Sequence, residues 1–227
     1  MDSQVTLPVA AWAAWRPTTS DASPQVGFID PQVRRRLSLL DRIALHVTHA
    51  CVKQGEAARL VFASRHGELG RSAELLTQLA ADEVPSPMAF SLSVLNAGIG
   101  LYAIARKDRS AATAISSGNG SFPMALIEAA AQASSDAEGA VVCTFADEPP
   151  PAVYRELVDS PRAAYALAVR LEPNATHRAV RMRWEPSDVE DDAEAATEAF
   201  IACLEGGAAA SWRGGGSAWH WTQGGNA

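Results

Sequence analysis

Two adjacent serines, Ser116 and Ser117, head the turn Ser117-Gly118-Asn119-Gly120, which separates an apolar stretch from a new apolar helix pattern. A hydroxyl on a sharp strand-to-helix turn stands above the first N–H groups of the helix. Many α/β enzymes mount a nucleophile there. Such a nucleophile needs a base within hydrogen-bond reach. The hydrolase pattern Gly-x-Ser-x-Gly is absent, because Ile115 lies two places before Ser117. On residue types alone, both serines read as groups that satisfy the backbone of a polar turn.

The histidines, His46, His49, His66, His177 and His220, are scattered. His46 and His49 lie three apart on one helical pattern, a spacing that can hold a metal, but no His-Glu-x-x-His motif or carboxylate completes a set. His66 sits in the polar loop Ser64-Arg65-His66-Gly67 and reads as exposed. No glycine-rich nucleotide loop follows a strand, and the acids from Asp188 to Glu194 lack the glycine and spacing of a calcium loop. No cofactor or metal is expected. Cys51, Cys143 and Cys203 have no metal-type spacing and read as small buried hydrophobes.

The elements that hold these residues follow from periodicity. Ala111–Ser116 reads as a strand covered on both faces. Gly118, Asn119 and Gly120 tolerate left-handed backbone, Ser121 is a cap, and Pro123 suits a first helical turn. Met124, Leu126, Ile127, Ala130 and Ala131 supply that helix's apolar face. Further strands are expected at Val5–Trp15, Ala57–Ala63 and Ala140–Phe145. Ala163–Leu171 and His177–Trp184 read as a hairpin around Glu172-Pro173-Asn174.

An amphipathic helix opens at Pro31 and carries Leu37, Leu40, Ile43, Ala44, Val47 and Ala50. A second spans Leu69–Ala81. Met88–Ala105 is nearly uncharged and carries Gly98 and Gly100, so it belongs either at the centre of the domain or at a partner interface. The acidic run Glu185–Glu194 starts a last helix. Residues 1–205 form one domain on this reading, and 206–227 a flexible glycine-rich tail whose Trp212, Trp219 and Trp221 dock on the body or on a partner.

The chain has 227 residues and a net charge of −7, which argues against a nucleic-acid groove. Its one dense basic cluster, Arg34-Arg35-Arg36, reads as a solvated helix face. No stretch approaches the ~20 apolar residues of a membrane span, and no signal peptide is evident, so a cytoplasmic protein is expected.

Several stretches carry a family resemblance. They are Arg34-Arg35-Arg36-Leu37-Ser38, Ser64-Arg65-His66-Gly67-Glu68-Leu69, the run from Ser86 to Ala97, and the turn with Ser121-Phe122 and Ala125-Leu126-Ile127-Glu128-Ala129. Together with Trp219-His220-Trp221, they resemble the β-ketoacyl synthase-like N-terminal domain, and within it the short chain-length-factor-like proteins of aryl polyene and xanthomonadin-type pigment clusters.

The resemblance implies an α/β, thiolase-like half-fold with a mixed central sheet covered by helices. It makes the turn a counterpart of the ketosynthase nucleophile elbow at Ser117, give or take one residue. Ketosynthases carry cysteine there, because a thiolate forms the required thioester and an unactivated serine does not. They also use two histidines and a lysine from a second half, for which this chain is too short.

The implied protein is a non-catalytic subunit with a degenerate elbow (Ser116, Ser117, Gly118, Asn119, Gly120). It pairs with a ketosynthase, meets acyl carrier protein through that complex, and helps wall the acyl tunnel. Met88, Phe90, Ser93, Val94, Asn96, Ala97 and Tyr102 are the expected partner or tunnel contacts. Two alternatives stay open: an acyl-transfer or hydrolytic enzyme using Ser117, and a homodimeric acyl-binding scaffold.

Overall fold

A computed structural model describes residues 3–16, 23–135, 139–157, 163–173, 179–192 and 195–224. The strands are β1 (Ser3–Trp15), β2 (Arg59–Ala63), β3 (Ala112–Ile115), β4 (Val141–Asp147), β5 (Tyr165–Leu171), β6 (Ala179–Pro186), β7 (Ala210–Gly214) and β8 (Ser217–Gly224). The helices are α1 (Pro31–Arg34), α2 (Leu39–Cys51), α3 (Leu69–Ala80), α4 (Pro87–Ser91), α5 (Ala97–Arg106), α6 (Ser121–Ala133) and α7 (Ala196–Gly206).

All eight strands share one mixed sheet in the order β3-β2-β4-β5-β1-β6-β8-β7. The β3–β2 and β2–β4 pairs are parallel and the others antiparallel. Helices cover both faces, which gives the expected three-layer α/β architecture. β4 is buried along its whole length, and its side chains alternate between two cores. Val141, Cys143 and Phe145 pack toward α6 and α7, while Val142 and Ala146 pack toward α2 and α5. In β1 a bulge between Val9 and Ala11 shifts the register. Leu7 and Val9 before it, and Trp12 and Ala14 after it, therefore face the same core.

Several expectations are corrected. The strand of the elbow is not central: β3 is an edge strand, half exposed, and pairs with β2 alone. Its small residues suit the parallel ladder, but periodicity cannot tell an edge from a centre. The amphipathic helix from Pro31 is two helices. The chain breaks at Arg35–Ser38 because Ser38 takes a capping box with Asp41 and starts α2 anew. Met88–Ala105 likewise divides into α4 and α5 across Leu92–Asn96.

The β5 and β6 segments are not hairpin partners, since β1 lies between them; Asn174 and His177 of that reading fall outside the described residues. In α6 the buried face is Phe122, Ala125, Leu126, Ala129, Ala130 and Ala133, whereas Met124 and Ala131 point outward. α7 begins at Ala196 with no side-chain cap, so the acidic run does not start it.

The stretch from 206 onward is no tail: most of it forms β7 and β8. Trp212, Trp219 and Trp221 are buried within this same chain. Trp221 lies edge-on to Phe200 of α7, which lies edge-on to Phe122 of α6. The three cysteines are buried, and burial pushes the Cys51 and Cys143 thiols up to about 12.

Candidate functional site

The elbow joins β3, at the sheet edge, to α6. Gly118 takes a positive φ of 55°, and the N–H groups of Gly120 and Ser121 close the turn on the carbonyls of Ser117 and Gly118. Ser121 is the first residue of α6, one place beyond its expected cap role; Gly120 is the N-cap. The buried Ser121 hydroxyl nevertheless fixes the turn, donating to the Gly118 carbonyl and accepting from the Ser117 N–H.

Ser116 and Ser117 are exposed. Ser116 Oγ donates to the Arg65 carbonyl at 2.9 Å, and among the described residues no histidine or carboxylate is hydrogen-bonded to either hydroxyl. The side chain that is held most firmly at the elbow is Asn119. Its Oδ1 accepts from Arg65 Nη1 at 2.7 Å, and its Nδ2 donates to Asp191 Oδ2 at 2.5 Å. Arg65 also donates to Asp147 Oδ2 at 3.1 Å, where both side chains are largely buried.

From the far end of the sheet, the β7–β8 turn reaches the elbow, and Gly215 packs so tightly on Gly120 that a Cβ there would lie 2.9 Å from its nitrogen. The elbow is thus clamped by three segments distant in sequence. Arg65, Asp147, Asp191 and Gly215 were not singled out from the sequence; the one signal was that Arg65 and His66 share a polar loop directly after a strand.

His66 is not the exposed histidine expected: its Nε2 is sealed from solvent and has no hydrogen-bond partner among the described residues. His49 stacks on Phe28 at 3.7 Å, and burial lowers its pKa. Among the described residues, no group of three or more His, Cys, Asp or Glu is arranged to hold a metal ion. No helix among them is long and apolar enough to cross a membrane.

Packed on α3 and α2 respectively, α4 and α5 present an apolar outer surface together with the segment that joins them. Phe90 is 69% exposed, Val94 50% and Met88 47%, and Ile104, not singled out from the sequence, is 73% exposed. Asn96 is exposed and Ser93 half-buried. Ala97 and Tyr102 belong instead to the core: Tyr102 is sealed beneath α2 with Phe28 and His49, and Arg106 lies over its ring. Gly98 packs against Asp41 of α2 with no room for a Cβ, whereas a Cβ at Gly100 would meet nothing outside its own helix within 4 Å among the described residues.

Residues 10–222 match the family described as beta-ketoacyl synthase, N-terminal domain. The chain belongs to this family. It is similar in structure to a chain of the complex between the ketosynthase ApeO and its chain length factor ApeC from Xenorhabdus doucetiae, with a TM-score of 0.83 and 24% identity. That similarity covers 96% of this chain and 99% of the other, so the two are of nearly equal length. The ishigamide ketosynthase/chain length factor is similar with a TM-score of 0.61 and 15% identity, over 88% of this chain and 72% of the other. The fold is therefore thiolase-like, as these ketosynthase-type structures are. No curated protein matches this chain in sequence.

Proposed function

We propose that this chain is a chain-length-factor-like, catalytically silent subunit that pairs with a ketosynthase and helps shape the acyl tunnel in polyene fatty acid or polyketide biosynthesis of the aryl polyene type. The observation that carries the reading is the edge of β3 that no strand among the described residues covers; the exposed apolar side chains of Met88, Phe90 and Val94 add a second unpartnered surface. An unpaired strand edge and an exposed apolar surface are each a liability in a lone protein and a place for a partner. Two features of the elbow support silence: it offers no thiol, and the amide of Asn119 is held between Arg65 and Asp191. Both solved structures of like fold named above are ketosynthase and chain length factor assemblies.

In this reading Met88, Phe90, Val94 and Asn96 meet the partner or tunnel, with Ser93 at the margin, in a cytoplasmic complex that acyl carrier protein visits. The domain runs through β8, so the terminal tryptophans belong to the body rather than to the partner.

The test is co-expression with the ketosynthase encoded beside this chain, followed by size-exclusion chromatography with light scattering. A one-to-one complex is expected, and incubation with acyl thioesters leaves this subunit's mass unchanged. Free monomer or homodimer beside uncomplexed ketosynthase overturns the reading, and an acyl adduct lost in Ser117→Ala replaces it with the enzyme alternative.

A further inference from the structure

Away from the elbow clamp, α2, α3, α5 and the end of β4 converge on two carboxylates that share one guanidinium, with a third carboxylate nearby. Asp41 Oδ2 accepts from the Ser38 N–H at 3.2 Å and lies 3.7 Å from Arg71 Nη2. Ser38 Oγ donates to Glu68 Oε1 at 2.7 Å, and Arg71 Nε donates to Glu68 Oε2 at 3.1 Å. Asp41 and Glu68 are both buried. Glu148, just beyond β4, lies beside Gly70 and has no hydrogen bond or ion pair among the described residues. From α5 the neighbour is Gly98, which has no side chain and lies directly against Asp41 Oδ1.

The remaining charged groups around this network are Asp147, already paired with Arg65, and Arg35, Arg36 and Glu74 at the mouth of a cleft of about 690 Å³. One guanidinium serves the buried pair Asp41 and Glu68, and the half-buried Glu148 on the cleft wall adds a third negative charge that nothing pairs directly among the described residues. Burial, then the charge of Glu68, raises Asp41 to about 7. Burial, then the charges of Glu68, Asp147 and Asp41, raises Glu148 to about 7.

We propose that this network is a proton-dependent latch: while Asp41 and Glu148 stay protonated around the Glu68–Arg71 pair, α3 and α5 stay packed against α2, and losing those protons loosens both helices. The sign follows from linkage. In the opened state the carboxyl groups are hydrated and titrate near 4, so the closed state binds more protons between about pH 4 and pH 7. The latch is therefore tight in mild acid, weakens as pH rises toward 7, and weakens no further above that. The helices it governs carry or adjoin the exposed apolar surface of Met88, Phe90 and Ile104, but the latch itself does not depend on what covers that surface.

The test is hydrogen–deuterium exchange of the full chain from pH 5 to pH 8, corrected for the intrinsic rate. Protection of α3 and α5 is expected to fall about tenfold per pH unit for each proton released up to pH 7 and then level off. Protection of α6 stays constant. Glu148→Gln, which removes one of the two titrating groups and breaks no hydrogen bond, lowers the slope to that of Asp41 alone. The latch is overturned by α3 and α5 protection that ignores pH, or by the same slope in Glu148→Gln. Carbon-13 carboxyl titration of the wild-type chain gives an independent reading: midpoints of Asp41 and Glu148 well above 5 support the latch, and midpoints near 4 sink it. Both measurements use the chain alone, so their failure leaves the ketosynthase-partner reading untouched.

Discussion

Arg170 is a buried cation in a protein of net charge −7, and it is fully employed. Its guanidinium donates to Glu172 and Glu56 at 2.6 Å each and to the Cys51 carbonyl at 3.1 Å, joining β5 to the end of α2 and the loop beyond. Arg170→Ala strands the carbonyl and two glutamates, at a cost of about 3 kcal/mol in urea unfolding. Arg170→Met keeps the packed stem and is expected to cost less. Hydrogen bonds from Arg170 hold the carboxyl groups of Glu56 and Glu172 below their usual range. Their contribution is complete above about pH 4.5 and is lost as pH falls below it, so the gap between wild type and Arg170→Met should narrow in acid.

The buried tryptophans differ in a way that unfolding can read. Trp219 Nε1 donates to the Gly214 carbonyl at 3.1 Å, while Trp221 Nε1 is buried with no hydrogen-bond partner among the described residues. Beyond the shared loss of ring volume, Trp219→Phe is expected to cost about 1 kcal/mol more than Trp221→Phe.

At the scale of elements, the free edge of β3 makes the sharpest test of partner binding. The carbonyls of Ala111 and Ile115 accept bonds from β2. Strand alternation therefore directs the N–H of Ala114 outward. Ala114→Pro removes that outward donor without breaking a bond to β2. The melting temperature of the isolated chain should change little, while complex formation with the ketosynthase is lost on size exclusion.

The sequence made most elements legible. Apolar alternation and turn residues locate β1, β2, β4 and the start of α6, and the run Ala140–Phe145, apolar but for Thr144, is indeed central. Position within the sheet was not legible, because Ala112–Ile115 is short, small and apolar whether one neighbour covers it or two. Helix breaks were half legible: Ser38 and Asp41 spell a capping box, yet the apolar spacing runs through it without a fault. The clamp on the elbow was out of reach, since Asn119 meets Arg65 and Asp191 only through the return of distant segments. Composition alone separates Phe90 and Val94 from Tyr102 no better, because all three are apolar rings or branches on one run, and only the kink at Leu92–Asn96 turns Tyr102 inward.

For the molecule as a whole, the C-terminal hairpin is the part most easily mistaken for an appendage. Its tryptophans complete the core beneath α7, and its turn presses Gly215 on the elbow. Truncation after Gly207 should expose Phe200 and Met182 to water. The shortened chain is expected to bind a hydrophobic dye and to lose its cooperative melting transition, where a true tail would have left both unchanged.

The placement of β1 has a cost in time. This 13-residue strand precedes its partners in the chain, yet it lies between β5 and β6, and Val9 pairs with Leu171, roughly 160 residues later. At ribosomal rates of about 5–20 residues per second an apolar segment thus waits roughly 8–30 s for the strands it pairs with. During that interval its shielding falls to nascent-chain chaperones. A circular permutant that delivers β1 after β6 should reach the same sheet faster and with less aggregation during synthesis.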